Sequence, residues 1–129
     1  MNASKLKPQI ISGISIKFSN LGNFKYLSSL IRNHLLYEPT GEIRFVLNDI
    51  ERGYLQFKDV SIVIGLFDGN PIACALTIRK KILCYVKPEF RRNKVGTQIV
   101  SLLKNEYSYA TIGFPNSDLF WDSLKIPIL

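Results

Sequence analysis

Three β-rich runs separated by two short turns constrain the fold of this 129-residue chain more than any other feature. The runs cover residues 61–67, 72–79 and 82–86, and each is rich in β-branched and other apolar residues. Asp-Gly-Asn-Pro between the first two runs is a strong hairpin signal, whereas Ile-Arg-Lys-Lys-Ile before the third is weaker because it lacks glycine and asparagine. Pro88 ends the third run, since proline cannot donate to a strand ladder. The sequence therefore predicts three antiparallel strands in meander order.

The segment before the meander predicts one strand and two helices. Residues 10–19 are β-rich and alternate between apolar and polar over their second half, which is typical of a strand. Two stretches with helical spacing follow, and Asn20 or Asn23 can cap the first of them. Gly53 weakens the last turns of the second helix. The apolar positions that define these helices are Phe24, Leu27, Ile31 and Leu35 in the first, and Ile43, Val46, Leu47, Ile50 and Tyr54 in the second.

A helix, a strand and a final helix are predicted after the meander. The strand covers residues 109–115, Asn116 or Ser117 caps the final helix, and the tail is long enough only for a stub of strand. The positions that define the first of these helices are Val95, Ile99, Leu102, Leu103 and Glu106. The order is β-α-α-β-β-β-α-β-α, and a crossover helix makes the strands on either side of it parallel. We therefore expect one α/β domain over residues 1–129, with a mixed and mostly antiparallel sheet.

Charge and cysteine content narrow the classes of function. The formal net charge of +7 favours anionic partners such as a phosphate-bearing cofactor, nucleic acid or an acidic protein surface. Cys74 and Cys84 show no C-x-x-C spacing, and the chain has one histidine, so we expect no metal site. The sequence lacks a signal-peptide pattern and an apolar run long enough to span a bilayer. We therefore expect a soluble cytoplasmic protein without membrane partners.

A basic loop follows the meander. Arg91, Arg92 and Lys94 precede Gly96 at the start of the predicted helix. Unpartnered N–H groups and the helix dipole attract anions to such a terminus, and glycine allows close approach of the backbone to a ligand. A diphosphate fits this arrangement, although the Walker pattern and the dinucleotide fingerprint G-x-G-x-x-G are absent.

The loop and its flanks resemble the acyl-CoA-binding motif of the GNAT superfamily of N-acetyltransferases. That motif is commonly Val-x-Pro-Glu-Tyr/Phe followed by Arg/Gln-x-x-Gly-x-Gly/Ala. Lys94 stands where the first glycine of the motif usually lies. The matching positions are Val86, Pro88, Glu89, Phe90, Arg91 and Gly96. A second similarity is to the late helix of the family, often Phe-Tyr-Glu-Lys-Leu-Gly-Phe, and it covers Phe120, Trp121, Asp122 and Leu124.

The resemblance implies a three-layer GNAT-like domain, shortened at its C-terminus, that uses acetyl-CoA as acyl donor. In this family the pantetheine arm pairs with the backbone of the third meander strand, and the basic loop binds the diphosphate. The positions that the resemblance assigns to the cofactor are Cys84, Tyr85, Val86, Arg91, Arg92, Asn93, Lys94, Val95, Gly96, Thr97, Asn116 and Trp121. The loss of two terminal strands leaves two alternatives open, a shortened sheet edge or strand exchange in a homodimer.

The resemblance also implies acetyl transfer to a primary amine, with a general base and a proton donor. Many members place a glutamate on the strand before the loop, but this strand has no acid. His34, Glu38 and Glu42 are the candidate bases, because the family lines its acceptor site with the junction of the first two helices. Trp121 replaces the tyrosine that often protonates the leaving thiolate, and Ser123 is a substitute donor.

Two functions remain open from the sequence. The first is an N-acetyltransferase whose acceptor is a small amine, a protein N-terminus, a lysine or an aminoacyl-nucleic acid. The alternative is a catalytically degenerate GNAT-fold module that binds nucleic acid or an acidic protein through its basic surface.

Overall fold

Six strands form one sheet whose spatial order is the order of the chain, β1-β2-β3-β4-β5-β6. A computed structural model describes residues 9–11, 14–19, 24–35, 41–91, 94–111 and 117–129. The strands are β1 (Gln9–Ile11), β2 (Ile14–Ser19), β3 (Val60–Phe67), β4 (Asn70–Ile78), β5 (Lys80–Val86) and β6 (Tyr107–Ala110). The helices are α1 (Phe24–His34), α2 (Glu42–Glu51), α3 (Val95–Ser101) and α4 (Ser117–Ser123). Neighbouring strands are antiparallel, except that β5 and β6 are parallel.

The sheet lies between two helical layers, and β4 is buried on both of its faces. Ala73 and Ala75 pack in a cluster with α3 and α4, whereas Cys74 and Leu76 pack in a second cluster with α1 and α2. Burial on two faces requires a continuous apolar run instead of alternation, which is what this strand has. The predicted three-layer α/β domain is therefore confirmed, as is the parallel pairing across the α3 crossover.

Several local predictions are confirmed. Leu27, Ile31 and Leu35 are buried on one side of α1, as their spacing predicted. The tail forms the expected stub, because Ile128 makes a single parallel bridge to Ala110. The predicted caps Asn20, Asn23 and Asn116 lie outside the described residues. Within the described residues, no helix is long and apolar enough to cross a membrane.

The predicted first strand, residues 10–19, is wrong in one respect, because the structure has two antiparallel strands there. Ile11 pairs with Ile14, so the chain reverses between these two residues. The intervening sequence contains glycine, which two-residue hairpins favour. Apolar alternation alone does not distinguish one long strand from such a hairpin, because both show the same period of two residues.

The predicted extension of α2 to Tyr54 is also wrong. Gly53 adopts a φ of +80°, and the N–H of Tyr54 bonds to the carbonyl of Asp49 at 2.8 Å. A left-handed glycine and a backward hydrogen bond of this kind end a helix. The side chain of Tyr54 is consequently 75 % exposed.

The crossover helix α3 ends earlier than predicted, and the strand β6 that follows it begins earlier. α3 stops at Ser101, so Glu106 is not on the helix; Asn105, with a φ of +79°, turns the chain instead. Glu106 accepts a hydrogen bond from Ser61 on β3. β6 begins at Tyr107, two residues before the predicted start, and residues 112–115 of the predicted strand lie outside the described residues.

The two meander turns have the same backbone conformation but different sequences. Both central residues have positive φ in each turn, +53° and +79° at Asp68 and Gly69, and +49° and +71° at Arg79 and Lys80. Positive φ at both central residues is typical of a type I′ turn, which Asn-Gly and Asp-Gly suit. The left-handed conformation costs most other L-residues about 1–2 kcal/mol each, because their Cβ approaches the following carbonyl. The second turn is therefore strained.

We expect the double substitution Arg79→Asn with Lys80→Gly to stabilise the protein by about 1 kcal/mol, because it removes this strain. Urea denaturation at neutral pH measures the change. Arg52→Gly is the control, since Arg52 is exposed and has a φ of −85°. That control should destabilise, because glycine there only adds entropy to the unfolded chain. A turn variant that is less stable than wild type would contradict the assignment of strain.

Candidate cofactor and acceptor site

β5 and β6 separate after a short parallel pairing. The pairing covers Lys80, Lys81 and Ile82 of β5 and ends at Ala110 of β6. Over residues 83–86, β5 still pairs with β4, whereas none of the described residues pairs with its other edge. This stretch is the one in which the family resemblance places the pantetheine arm.

The polar backbone groups on that open edge can be assigned from the ladder. The N–H of Lys87 bonds to the carbonyl of Ile72 at 2.9 Å, so this pair is hydrogen-bonded. Hydrogen-bonded and non-bonded pairs alternate in an antiparallel ladder. The N–H and C=O groups of Cys84 and Val86 therefore face away from β4, toward the open edge.

The side chain of Arg91 contacts the open edge of β5. Its Nε donates to the carbonyl of Val86 at 2.8 Å, and its guanidinium lies 5.5 Å from the centroid of the Tyr85 ring. A 3-10 turn at Pro88–Phe90 connects the two ends, and Phe90 packs on Phe67 with ring centroids 5.5 Å apart. These contacts fix the end of β5 and the start of the basic loop relative to each other.

Lys94 begins α3 in the left-handed conformation, with a φ of +62°. The glycine that the family motif usually has at this position suits that conformation, so the structure explains the motif and shows how this chain departs from it. The lysine side chain is exposed and makes no capping hydrogen bond. The N–H groups of Val95, Gly96 and Thr97 have no partner within the helix, because the first turn provides none. Arg92 and Asn93 lie outside the described residues.

Gly96 lies at the contact between α3 and α4. It is buried, and a Cβ built there would lie 3.0 and 3.1 Å from two ring carbons of Phe120 and 3.6 Å from a methyl of Val86. Gly96 therefore permits a close approach of α3 to α4, and the predicted approach of its backbone to a ligand stays a prediction. We therefore expect Gly96→Glu to disrupt the fold locally, because a glutamate would displace α4.

The Gly96–Phe120 contact predicts that one substitution changes the stability in opposite directions in two backgrounds. Gly96→Ala should destabilise the protein by about 1 kcal/mol, since overpacking outweighs the gain in helix propensity. In a Phe120→Ala background the same change should stabilise, because the clash is gone and the propensity gain remains. A double-mutant cycle by urea denaturation gives the coupling free energy. Equal effects in the two backgrounds would contradict the contact.

Two candidate site residues, Trp121 and Ser123, lie on the late helix α4. The first is buried, and the second makes a hydrogen bond within the helix. Trp121 is 3 % exposed and lies in the core cluster under α3, so its burial disfavours the predicted role as proton donor. Ser123 donates to the carbonyl of Phe120 at 2.6 Å, which is a bond within its own helix. Lys125 follows with a φ of +58°, at the glycine position of the family's late motif. The roles of Trp121 and Ser123 stay predictions.

The two cysteines are poor nucleophiles. Burial raises the pKa of Cys74 to about 12, and burial together with the neighbouring Cys74 raises the pKa of Cys84 well above its ordinary value. The thiol, not the reactive thiolate, is therefore the form present at neutral pH. The backbone of Cys84 faces the open edge of β5, whereas the backbone of Tyr85 faces β4 and its side chain packs among the α1–α2 cluster. Their predicted roles in binding the cofactor stay predictions.

A carboxylate reaches β5 from a different element. Glu42, the first residue of α2, pairs with Lys81 on β5 and accepts a 2.5 Å hydrogen bond from Thr111, which follows β6. The cluster therefore lies where β5 and β6 begin to separate. The strand has no acid of its own, so α2 places one against it.

The ionisation of Glu42 follows from these contacts. Burial alone would raise its pKa, but the hydrogen bonds from Lys81 and Thr111 and the Lys81 charge together hold the pKa below its ordinary value. Glu42 is consequently ionised at neutral pH. A carboxylate held in this way binds a cation well and accepts a proton poorly.

His34 is not part of this cluster. It is half-buried at the last residue of α1, and none of the described contacts joins it to Glu42. Glu38 lies outside the described residues. Of the two candidate bases among the described residues, Glu42 contacts β5 and His34 does not. Sequence reasoning missed Lys81 and Thr111, because their proximity depends on strand register and no motif marks it.

A polar network fastens α1 to α2 on the side that the resemblance assigns to the acceptor. Arg32 donates to Ser28 at 3.0 Å and to Asn48 at 2.8 Å, and pairs with Glu51 at 3.2 Å. Ser28 is buried and donates to Glu51. These bonds line an open groove between the helices and fix their relative position, and with it the position of Glu42.

Acidification should remove the contribution of Glu42. Because its folded pKa is lowered, the stabilisation is complete above the unfolded value of about 4.3 and is lost as pH falls through the folded value. Glu42→Gln should therefore cost about 0.5–1 kcal/mol at pH 7 and nothing once Glu42 is protonated in both states. Urea denaturation as a function of pH measures this difference. A cost that persists at the acid end would show that packing, not charge, is responsible.

Comparison with solved structures identifies the fold. The "putative acetyltransferase" of Exiguobacterium sp. 255-15 aligns with a TM-score of 0.55 at 18% identity, over 84% of this chain and 83% of that one. Ribosomal-protein-alanine N-acetyltransferase from Brucella melitensis biovar Abortus 2308 aligns with a TM-score of 0.51 at 11% identity, over 86% and 90%. Aminoglycoside N-acetyltransferase AAC(6')-Iy in complex with CoA aligns with a TM-score of 0.50 at 16% identity, over 94% and 88%. No protein-family model and no curated protein sequence matches the chain.

The molecule is an α/β/α domain with a mixed sheet that opens between two parallel strands. It has the fold of the GNAT N-acetyltransferases, as the motif resemblance implied, and the likeness extends over most of the chain.

Proposed function

We propose that this protein transfers the acetyl group of acetyl-CoA to a primary amine. The observation that carries the proposal is the open edge of β5 next to the start of α3, in a fold shared with N-acetyltransferases. One of those structural neighbours is described in complex with CoA. The residues present fit the cofactor, because a backbone edge with free polar groups suits the peptide-like pantetheine arm and a basic helix start suits the diphosphate.

The cofactor side is formed mainly by the backbone. The N–H and C=O of Cys84 and the N–H of Val86 face the open edge, whereas the carbonyl of Val86 is already engaged by Arg91. An N–H on this edge can also stabilise charge that develops on the thioester oxygen. The free N–H groups at the start of α3 and the ammonium of Lys94 provide positive potential for the diphosphate.

The acceptor side is formed by Glu42. Its carboxylate lies at the point where β5 and β6 separate, and it is already paired with the ammonium of Lys81. The ammonium of an acceptor carries the same charge and can bind the same carboxylate. Glu42 therefore anchors the acceptor, and the low pKa that Lys81 gives it leaves proton removal to water.

The first test of this proposal is binding of the donor. Acetyl-CoA at a hundred times its Kd should stabilise the protein by about 2.7 kcal/mol, which a thermal shift detects. CoA without the acetyl group should give a similar shift. Absence of a shift at millimolar concentrations of either ligand would reject the cofactor.

Lys94 variants separate charge from backbone strain in that binding. Lys94→Gly and Lys94→Asn both relieve the left-handed conformation and remove the charge, whereas Lys94→Arg keeps both. If the ammonium binds phosphate, the first two should bind CoA several-fold more weakly than wild type, and Lys94→Arg should not. Calorimetric titration measures the order. Tighter binding by the glycine and asparagine variants would instead show that the side chain obstructs the loop.

The second test is turnover. Release of free CoA thiol, followed with a thiol reagent over a panel of primary amines, reports the reaction directly. Glu42→Gln should raise the KM for the amine more than it lowers kcat, because it removes an anchor and not a base. Lys104→Gln, at an exposed position after α3 and away from the groove between α1 and α2, is the control and should match wild type.

A specific observation also supports the second candidate, a degenerate GNAT-fold binding module. The two late-helix residues proposed as proton donors are buried or bonded within the helix. Tight CoA binding without turnover on any amine would favour this candidate, whereas turnover would remove it.

A further inference from the structure

Four exposed basic residues meet at the end of the sheet that lies opposite the proposed cofactor loop. They are Lys58, Arg79, Lys80 and Lys104. We refer to these four residues as the basic end of the sheet. β5 has seven residues, so this end lies about 20 Å from the start of the basic loop, along the strand.

Strand register places the four residues together. Ile78 pairs with Lys81, so Arg79 and Lys80 form the tip of the β4–β5 hairpin. Val60 pairs with Ile78, which brings the preceding Lys58 beside that tip. Tyr107 pairs with Lys80, which brings the segment around Lys104 to the other side. Two acids lie nearby: Asp59 is exposed, and the half-buried Glu106 accepts a hydrogen bond from Ser61. The four basic residues outnumber these two acids, so the net charge of the basic end of the sheet is positive.

The backbone at the hairpin tip has an unfavourable conformation. Arg79 and Lys80 both adopt positive φ in a turn that asparagine and glycine suit better. The equivalent turn of the β3–β4 hairpin has Asp68 and Gly69 and shows that the fold accommodates the relaxed sequence. Backbone strain of this kind is characteristic of functional positions. Here it presents two cationic side chains at one exposed tip.

The chemistry of this surface favours a phosphate backbone over a protein partner. Protein interfaces depend on a buried apolar centre. The large apolar side chains that are exposed in the described part of the chain are Tyr26, Phe45, Tyr54, Leu119 and Leu129, and none of them belongs to the two hairpin strands or to the segments that flank the tip. Binding to nucleic-acid phosphates, by contrast, needs only lysine and arginine and reads no sequence.

We propose that the basic end of the sheet binds the phosphate backbone of nucleic acid without sequence preference. Four neutralised phosphates predict a slope of about −3.6 for the logarithm of affinity against the logarithm of salt concentration on a duplex. This site is separate from the proposed cofactor loop, and its occupation does not depend on acetyl transfer.

Fluorescence anisotropy of the full chain with a labelled DNA duplex, titrated at several salt concentrations, tests the proposal. Arg79→Gln with Lys80→Gln removes two charges and keeps the strained turn. It should reduce the slope by about 1.8 and weaken binding at low salt on the order of tenfold. Arg79→Asn with Lys80→Gly should weaken binding equally and yet raise the Tm, because it also relaxes the turn.

Lys25→Gln with Arg44→Gln is the matched control. It removes the same charge from exposed positions on α1 and α2, and it should leave the slope near that of wild type. An equal loss in this control would overturn the proposal in favour of diffuse net charge. Absence of duplex binding at about 50 mM salt would also overturn it. Poly-glutamate that binds as tightly as the duplex, with the same response to the variants, would overturn it in favour of an acidic protein.

Discussion

Burial of β4 on both faces is the constraint on which the rest of the structure depends. Ala73 and Ala75 contact one helical layer and Cys74 and Leu76 the other, so a single strand joins the two hydrophobic clusters. A buried polar side chain on such a strand needs a hydrogen-bond partner, and from Ile72 to Ile78 the strand has one polar residue, Thr77. The meander arranges β3 and β5 on its two sides, and β5 thereby acquires one fixed edge and one edge available to β6. Among the described residues, β6 pairs with β5 only as far as Ile82, which leaves residues 83–86 of β5 paired on one side.

The two halves of the candidate site are held by different physical means. The cofactor half is a backbone edge and a helix start, fixed by Arg91 against Val86 and by packing of α3 on α4 through Gly96. The acceptor half is a charge cluster, fixed by Glu42 with Lys81 and oriented by the polar network between α1 and α2. Backbone geometry changes little with pH or salt, whereas a half-exposed ion pair responds to both.

The sequence predicted the architecture because its signals were local or strongly periodic. The three meander strands, the crossover helix and the buried side of α1 depend on patterns within ten or so residues. The boundaries of α2 and α3 were missed because a single residue with positive φ, Gly53 or Asn105, outweighs helical spacing. The Glu42, Lys81 and Thr111 cluster could not be predicted, because its members are distant in the chain and meet only through register. The packing of Gly96 on Phe120 could not be predicted either, because no local pattern connects α4 to the start of α3.

Basic residues in the left-handed backbone conformation reduce the number of destabilising substitutions that this fold accepts. Among the described non-glycine residues with positive φ, four are basic, Arg79, Lys80, Lys94 and Lys125. At about 1 kcal/mol each, they consume a substantial part of the 5–15 kcal/mol that a domain typically has between its folded and unfolded states. When the free energy of unfolding is small, destabilising substitutions elsewhere lower the folded population, even those far from any site. The four backbone torsions therefore limit, together with the core, how many such substitutions the fold accepts.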